Sequence, residues 1–273
     1  MTLEFIERYK RHSFLGFEIE QILLQKKSQY QELLVFRNPS FGNVMILDGC
    51  VMTSEKDEFF YHEQLVHVPM FSHENPENIL IIGGGDGGTL REVLKHSMVK
   101  KVDMVEIDQM VITAAREYFP TLSCEFNNPK AQIIVQDGFQ WVKEHKNEYD
   151  IIIIDSTDPV GPAEALITKE FYNLCKGSLK PKGIFTAQTE SPLYMAETYR
   201  QIYKEMKNVF GGVAGYLGPV PTYPSGTWSW CLCAEKPLVD SSFAPKRPLN
   251  FETKFYTQEY HKASFVLPPY ARV

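Results

Sequence analysis

The chain has 273 residues, 44% of them hydrophobic, and a formal charge of -6 at pH 7. That length holds one domain of about 200 residues and a small appendage. The acidic balance disfavours nucleic acid and anionic membrane as partners and suits a cationic small molecule, though the effect is modest.

The amino terminus, Met1-Thr2-Leu3-Glu4-Phe5-Ile6-Glu7-Arg8, carries acids where a signal peptide needs a basic start and an apolar core, and the longest aliphatic run is only strand length. A cytoplasmic protein with no membrane contact is expected. Residues 1–54 read as a strand-rich unit, with strands at Phe17 to Gln25 and Gln31 to Phe36. A hairpin follows, in which Asp48-Gly49 turns Val44-Met45-Ile46-Leu47 back into Val51-Met52-Thr53. This unit is too small to be stable alone. Its sheet edges need covering by the larger unit, residues 55–273, or by another subunit. Ser54 and Asp57 resemble a capping box, with Asp in place of the usual Glu, and start a helix carrying Tyr61 and His62.

From about residue 76, strands and helices alternate as in a doubly wound α/β sheet. Its first strand, Ile79-Leu80-Ile81-Ile82, runs into Gly83-Gly84-Gly85-Asp86-Gly87-Gly88. The spacing Gly83-x-Gly85-x-x-Gly88 between a strand and a helix is a nucleotide-loop pattern, and alone it is weak. Asp86 sharpens it. A carboxylate in the loop repels a pyrophosphate and attracts an ammonium or sulfonium, so a cationic nucleoside ligand is expected and a dinucleotide is not.

The next strand run, Lys101 to Asp108, ends in acids and places Glu106 roughly 20 residues beyond the loop, where a carboxylate commonly holds ribose hydroxyls. An exposed strand-end acid is the plainer reading of Glu106. Asp108 is expected to cap the helix Gln109 to Tyr118, which Pro120 ends. A third strand, Ala131 to Gln136, precedes Asp137-Gly138 and the helix Phe139 to Glu144. Asp137 is placed to accept from an adenine amino group or to cap that helix.

The fourth strand, Tyr149 to Ile154, is apolar on both faces like a central parallel strand. It empties into Asp155-Ser156-Thr157-Asp158-Pro159-Val160-Gly161-Pro162, two carboxylates three residues apart at the end of an open sheet where ligands bind. Such acids serve as a general base and as anions for a diamine, or else form an ordinary Asx turn. Loop signals at Gly177 to Gly183 and Gly211-Gly212 separate later strands near Gly183 to Gln188, Val213 to Leu217 and Trp228 to Ala234, expected to be antiparallel. The proline-rich run Gly218 to Gly226 is expected to be a loop, and Tyr256 to Ala263 a short helix. Cys231 and Cys233 alternate onto one strand face. The five cysteines show no paired motif and the seven histidines no metal spacing, so no disulfide framework and no metal are expected.

From Gln29 to Gly226 the chain resembles a spermidine synthase, a polyamine aminopropyltransferase of the Gram-positive bacterial kind. The matching segments occur in order: Tyr30-Gln31-Glu32, Leu47-Asp48-Gly49, Asp57 to Glu63, Gly83 to Gly88, Glu106-Ile107-Asp108, Gln136-Asp137-Gly138, Asp155 to Pro162, and Pro221-Thr222-Tyr223-Pro224-Ser225-Gly226. The resemblance implies a Rossmann-like, class I methyltransferase-like sheet with a small N-terminal β-strand domain, assembled as a homodimer or homotetramer. It implies decarboxylated S-adenosylmethionine as co-substrate, with no permanently bound cofactor and no metal.

By that resemblance, Gln31 and His62 contact the aminopropyl or sulfonium end of the donor, and Gly83, Gly85 and Asp86 contact it through the loop. Glu106 holds the ribose, and Asp137 with Gly138 the adenine. Asp155 is the base and also touches the donor. Tyr61, otherwise readable as a core aromatic, positions the attacking nitrogen. Asp158 anchors the amine, Gln188 and Tyr223 line the slot for its methylene chain, and Glu190 is a lesser candidate for the far ammonium. The donor lacks the carboxylate of its parent, so Asp86 selects for it.

Two departures stand out. The tryptophan-containing opening of relatives is absent, and Met52 replaces a common glutamine. Putrescine is the expected acceptor by family frequency, with cadaverine, agmatine and spermidine as alternatives. An S-adenosylmethionine-dependent methyltransferase and a non-catalytic adenosyl-ligand binder are the competing classes.

Overall fold

A computed structural model describes residues 3–9, 12–159 and 161–273. Met1 and Thr2 of the amino-terminal segment and Val160 of the Asp155 run lie outside the described residues. β1 (Leu3–Tyr9) and β2 (Ser13–Ile19) form a two-stranded antiparallel sheet. β3 (Gln21–Lys27), β4 (Glu32–Asn38), β5 (Gly42–Leu47) and β6 (Cys50–Ser54) form a four-stranded antiparallel meander.

The single strand expected from Phe17 to Gln25 is therefore two strands in two sheets, broken at Glu20. No glycine or proline marks the break, so the pattern ran straight through it. The Asp48-Gly49 hairpin forms as expected, with Leu47 paired to Cys50. The expected capping box forms only in half: the Asp57 N–H donates to Ser54 Oγ at 3.4 Å, but no bond returns from the Asp57 carboxylate to the Ser54 N–H. α1 (Glu58–Ser72) begins after Asp57, which makes no side-chain cap. Its carboxylate instead accepts from the Ser54 hydroxyl at 2.6 Å and from the Thr222 N–H at 3.0 Å, pinning a distant loop to the start of α1.

The remaining elements follow in alternation: β7 (Asn78–Gly83), α2 (Gly88–Leu94), β8 (Lys101–Glu106), α3 (Gln109–Tyr118), β9 (Ala131–Val135), α4 (Gly138–Glu144) and β10 (Tyr149–Asp155). Then come α5 (Lys169–Ser178), β11 (Leu179–Gln188), α6 (Ala196–Lys207), β12 (Gly212–Pro219), β13 (Thr227–Ala234) and α7 (Gln258–Ser264). The large sheet has seven strands in the order β12-β13-β11-β10-β7-β8-β9. β9, β8, β7, β10 and β11 are mutually parallel, so the expectation that β11 pairs only antiparallel is corrected: it runs parallel to β10 and antiparallel to β13.

The expected loop from Gly177 to Gly183 is also corrected. α5 continues to Ser178 and β11 starts at Leu179, which pairs with Tyr149 before a bulge shifts the register to Ile151 and Ile184. Likewise Gly218 and Pro219 extend edge strand β12 rather than the loop, an edge position where proline leaves no ladder bond unmet on its free side.

Strand composition explains the layering. Ile79, Ile81, Ile151 and Ile153 face one side with Leu65, Val66 and Val68 of α1, while Leu80, Ile82, Ile152 and Ile154 face the other with Phe171, Tyr172, Tyr199 and Tyr203. Alternate residues bury opposite faces, which is why the strands are apolar throughout. Because α1 is buried along most of its length, it shows no apolar stripe. Leu33, Val35, Met45 and Leu47 of the meander pack on Val111, Ala114 and Phe119 around α3. This contact sets the N-terminal sheet over the carboxyl ends of β7 and β8. The strand order reverses between β7 and β10, the place where an open sheet leaves a crevice.

Candidate active site

The crevice is a cavity of about 500 Å³, lined by the loops after β7, β8, β9 and β10, by α1, and by the N-terminal meander. Its floor depends on glycine. Gly83 pairs in register with Asp155, has φ +85, and a Cβ there would collide with the Asp155 carbonyl. Gly84 N–H donates to that carbonyl at 2.8 Å. The loop and the end of β10 thus lie too close for any side chain.

On one side of the crevice stand acids with protein partners. Asp86 accepts from the Gly88 N–H at 2.8 Å, and its other oxygen lies 3.3 Å from His62 Nε2. His62 is only 2% exposed, and its Nδ1 sits 2.7 Å from Glu58, which also takes a hydrogen bond from Arg91 at 2.8 Å. Burial alone lowers the imidazole, but Asp86 and Glu58 outweigh it and hold His62 well above its ordinary value. Burial raises Asp86 in turn, and His62 overrides it, keeping the carboxyl below the usual range. Both His62 nitrogens are thereby engaged by carboxylates of the protein.

Glu106 accepts from the Asp108 N–H at 2.8 Å, and burial pushes it up to about 7 despite that bond. Asp108 caps α3 through the Met110 N–H at 2.9 Å, as expected. Its second oxygen accepts from Gln31 Nε2 at 3.0 Å and Ser28 Oγ at 2.7 Å. Gln31 is thus oriented toward the cavity from the N-terminal side. Asp137 caps α4 through the Phe139 N–H at 2.8 Å, as its capping reading expects, and with Gly138 it lines the cavity.

At the end of β10, Asp155 accepts from the Tyr61 hydroxyl at 2.9 Å and from the Thr89 hydroxyl at 2.6 Å. Burial, and then the charge of Asp86, raise its carboxyl above the ordinary range. Ligand atoms of His62, Asp86 and Asp155 lie within 4.8 Å of one another, a setting for a cationic group.

A smaller cavity adjoins the first and shares Met52, Tyr61, Ser156, Thr157 and Tyr223 with it. Asp158 and Gln188 line it. Gln188 accepts from the Glu190 N–H at 3.0 Å, and Glu190 hydrogen-bonds Asp158. Tyr223 donates to the Met52 carbonyl at 2.6 Å, which engages its hydroxyl, and its ring is tilted against Tyr61 and edge-to-face with Trp228. Because Met52 contributes backbone here, its replacement of glutamine leaves this contact intact.

All the residues singled out from sequence therefore gather in the two adjoining cavities or behind their walls. Thr89, Glu58 and Arg91 were missed. Thr89 stands directly after the glycine loop and Glu58 one residue after Asp57, but only the fold shows that they meet Asp155 and His62.

The model for the spermine/spermidine synthase domain matches residues 58–242, and that for the spermidine synthase tetramerisation domain matches residues 5–55. A polyamine aminopropyltransferase of Clostridium kluyveri is 45% identical over 261 residues, covering 94% of this chain and 93% of that protein. One from Bacillus cereus is 44% identical over 272 residues, covering 99% and 98%. The fold matches a spermidine synthase crystallised with the transition state analogue AdoDATO, with TM-score 0.94 and 46% identity over 97% of this chain and 92% of that one. The spermidine synthase of Thermotoga maritima matches with TM-score 0.93 and 45% identity over 97% and 91%. With family models matching residues 5–55 and 58–242 and relatives 44–46% identical over nearly the whole length, the chain belongs to the spermine/spermidine synthase family and is a polyamine aminopropyltransferase.

Proposed function

We propose that this enzyme moves the aminopropyl group of decarboxylated S-adenosylmethionine to putrescine, giving spermidine and 5'-methylthioadenosine. The observation that carries this reading is Asp155. It is a half-buried carboxylate gripped by Tyr61 and Thr89, placed between a donor cavity containing Asp86 and Glu106 and an acceptor cavity containing Asp158.

The donor lies in the larger cavity, with its ribose hydroxyls on Glu106, its adenine by Asp137 and Gly138, and Gln31 closing the near side. Asp86 faces its free amine. The parent compound carries a carboxylate there, which Asp86 repels. The acceptor arrives as an ammonium, since an alkylamine has a pKa of roughly 10. Asp155 takes one proton from it while Tyr61 fixes the nitrogen. The freed electron pair forms a nitrogen–carbon bond at the carbon next to sulfur, the carbon–sulfur bond breaks, and its pair returns to sulfur as the thioether leaves. Burial that raises the Asp155 carboxyl makes it a stronger base for this transfer. Holding both reactants in line supplies the rest. Asp158 anchors the amine, and Gln188 and Tyr223 flank its methylene chain.

We assign residues 1–54 to assembly and 55–273 to catalysis. Leu3, Ile6, Phe14 and Ile22 leave an apolar surface on the N-terminal strands that suits a homodimer or homotetramer. Five cysteines without a disulfide fit the reducing cytoplasm. No helix among the described residues is long and apolar enough to cross a membrane. The test is a product assay with decarboxylated S-adenosylmethionine and putrescine, cadaverine, agmatine or spermidine, read by mass spectrometry. Spermidine made most efficiently from putrescine supports the reading. A preference for another amine replaces the acceptor, and methyl transfer from the intact donor overturns the reaction.

A further inference from the structure

Behind His62 lies a row of charges that stands outside the cavity lining. Glu58 and His62 are one turn apart on α1, and Asp86, Arg91 and Glu92 succeed one another through the glycine loop and α2. Three charge contacts join the two segments: Asp86 with His62 Nε2 at 3.3 Å, Glu58 with the Arg91 guanidinium at 2.8 Å, and Glu92 with His67 Nε2 at 3.0 Å. Arg91 Nε also donates to Glu92 at 2.8 Å, and Lys95 Nζ lies 2.7 Å from the other Glu92 oxygen. His62 and Arg91 meet the same oxygen of Glu58. The side chains of Glu58, His62, His67 and Glu92 are at most 3% exposed and that of Arg91 16%. Glu58 and Arg91 are not among the residues that line the larger cavity.

Charge alternates along this row, from Asp86 through His62, Glu58 and Arg91 to Glu92. A buried carboxylate needs its own cation, and removing one partner leaves the other uncompensated at high cost. His62 faces two carboxylates, and one imidazolium cannot neutralise both. Arg91 supplies the second positive charge, so Glu58 fixes the ring through Nδ1 while the imidazolium charge is left for Asp86. Burial raises Glu58, and His62 and Arg91 together bring it below its ordinary range. The fit of the two segments is also steric. The Gly88 backbone lies against the His62 ring, so that a Cβ there would collide with the imidazole. Tyr61 precedes His62 and Thr89 follows Gly88, and these two hydroxyls hold Asp155. The junction of α1 with α2 therefore sets both the acid that faces the donor and the orientation of the base.

We propose that Arg91 is a positioning residue for the aminopropyl donor: by compensating Glu58 it locks His62 and, through His62, presents Asp86 as a fixed, ionised carboxylate to the donor's ammonium. The inference rests on the reading of Asp86 given above and extends it to a side chain outside the cavity lining. Without Arg91, His62 has to serve Glu58 and Asp86 at once, and one of the two carboxylates takes up a proton or swings away. A neutral or displaced Asp86 no longer meets an ammonium, whereas the adenosine subsite at Glu106 and Asp137 is left as it was. Lysine is a poor substitute, because one ammonium lacks the planar fork with which the guanidinium spans Glu58, Glu92 and the Thr121 carbonyl.

The experiment compares two ligands by titration calorimetry: decarboxylated S-adenosylmethionine, and 5'-methylthioadenosine, which keeps the adenosine and the sulfur but has neither ammonium nor sulfonium. The proteins are the full-length wild type, Arg91→Met, Arg91→Lys, Asp86→Asn and the double variant Glu58→Gln/Arg91→Met. Arg91→Met should bind the donor about 5- to 50-fold more weakly and methylthioadenosine within about twofold of wild type. Arg91→Lys should fall between. The double variant should recover most of the donor affinity, because glutamine still accepts from His62 Nδ1 and no longer needs a cation. An equal loss for both ligands marks a merely structural role and overturns the proposal. So does a donor affinity unchanged in Arg91→Met, or a double variant that binds the donor more weakly than Arg91→Met alone. If Arg91→Met does not fold, Arg91→Lys and the double variant carry the same comparison. Asp86→Asn keeps the two inferences apart: donor affinity unmoved there overturns the reading of Asp86 itself, whereas a loss in Asp86→Asn without one in Arg91→Met overturns only the role of Arg91.

Discussion

The two ends of the crevice treat their acids differently. On the donor side, Asp86 has His62 and the Gly88 N–H, Glu106 has the Asp108 N–H, and Asp137 has the Phe139 N–H. On the acceptor side, Asp158 and Glu190 hydrogen-bond each other and Glu7 has a single backbone donor. The donor end is preorganised, with carboxylates fixed in position before any ligand arrives. The acceptor end is under-compensated and gains most when a cation enters. Asp155 stands at the border, oriented by two hydroxyls yet without a cation at hydrogen-bond distance. A group held that way is positioned as a base and free to take a proton.

Substitutions break or sharpen this contrast. Asp155→Asn has the largest expected effect: it keeps a side chain for the Tyr61 and Thr89 hydroxyls but removes the base, so single-turnover rates fall by about 10²- to 10⁴-fold. Donor affinity, read by calorimetry, stays near wild type, and near-normal turnover removes Asp155 as the base. Asp86→Asn acts on the donor end. The decarboxylated donor should bind about 10- to 100-fold more weakly. The intact compound loses less because it gains relief from carboxylate repulsion, and equal losses would erase the selectivity argument.

Glu106→Gln acts on stability without ligand. Glu106 ordinarily titrates near 4.5 and is raised to about 7 in the fold, so the folded state holds its proton across that window. Its contribution is therefore full below about pH 4.5 and is lost as pH rises through about 7, by at most about 3 kcal/mol. Denaturant midpoints at pH 5 and pH 8 should differ less in Glu106→Gln than in wild type, and an unchanged difference contradicts the buried-acid account.

The donor end was largely legible in the sequence because its acids follow apolar strands directly, so local order alone puts Asp86, Glu106, Asp137 and Asp155 at one edge of the sheet. Asp108 as the cap of α3 was legible for the same reason. What escaped depends on contacts between distant segments. Glu7 shares the smaller cavity with Asp158 only because the N-terminal hairpin is folded against it. Thr89 and Glu58 become site residues only when α2 and α1 meet. The break at Glu20 was hidden because alternation continues through it, and the Asp57 carboxylate, expected to complete a capping box with Ser54, instead accepts from the distant Thr222 N–H. Asp137 shows that a cap and a site wall are compatible roles for one carboxylate.

The contrast between the two ends is tested most directly by counting protons. Titration calorimetry of putrescine into the protein, repeated at pH 7 in buffers of different ionisation enthalpy, measures protons exchanged on binding. Because burial pushes Glu7, in the wall of the smaller cavity, up to about 7 and raises Asp158 and Glu190 above their ordinary values, a diammonium ligand should release protons as it binds. Release should fall in Glu7→Gln. Putrescine binding with no buffer dependence would mean that these acids are already ionised and compensated, and the account of an acceptor end waiting for its cation would be wrong.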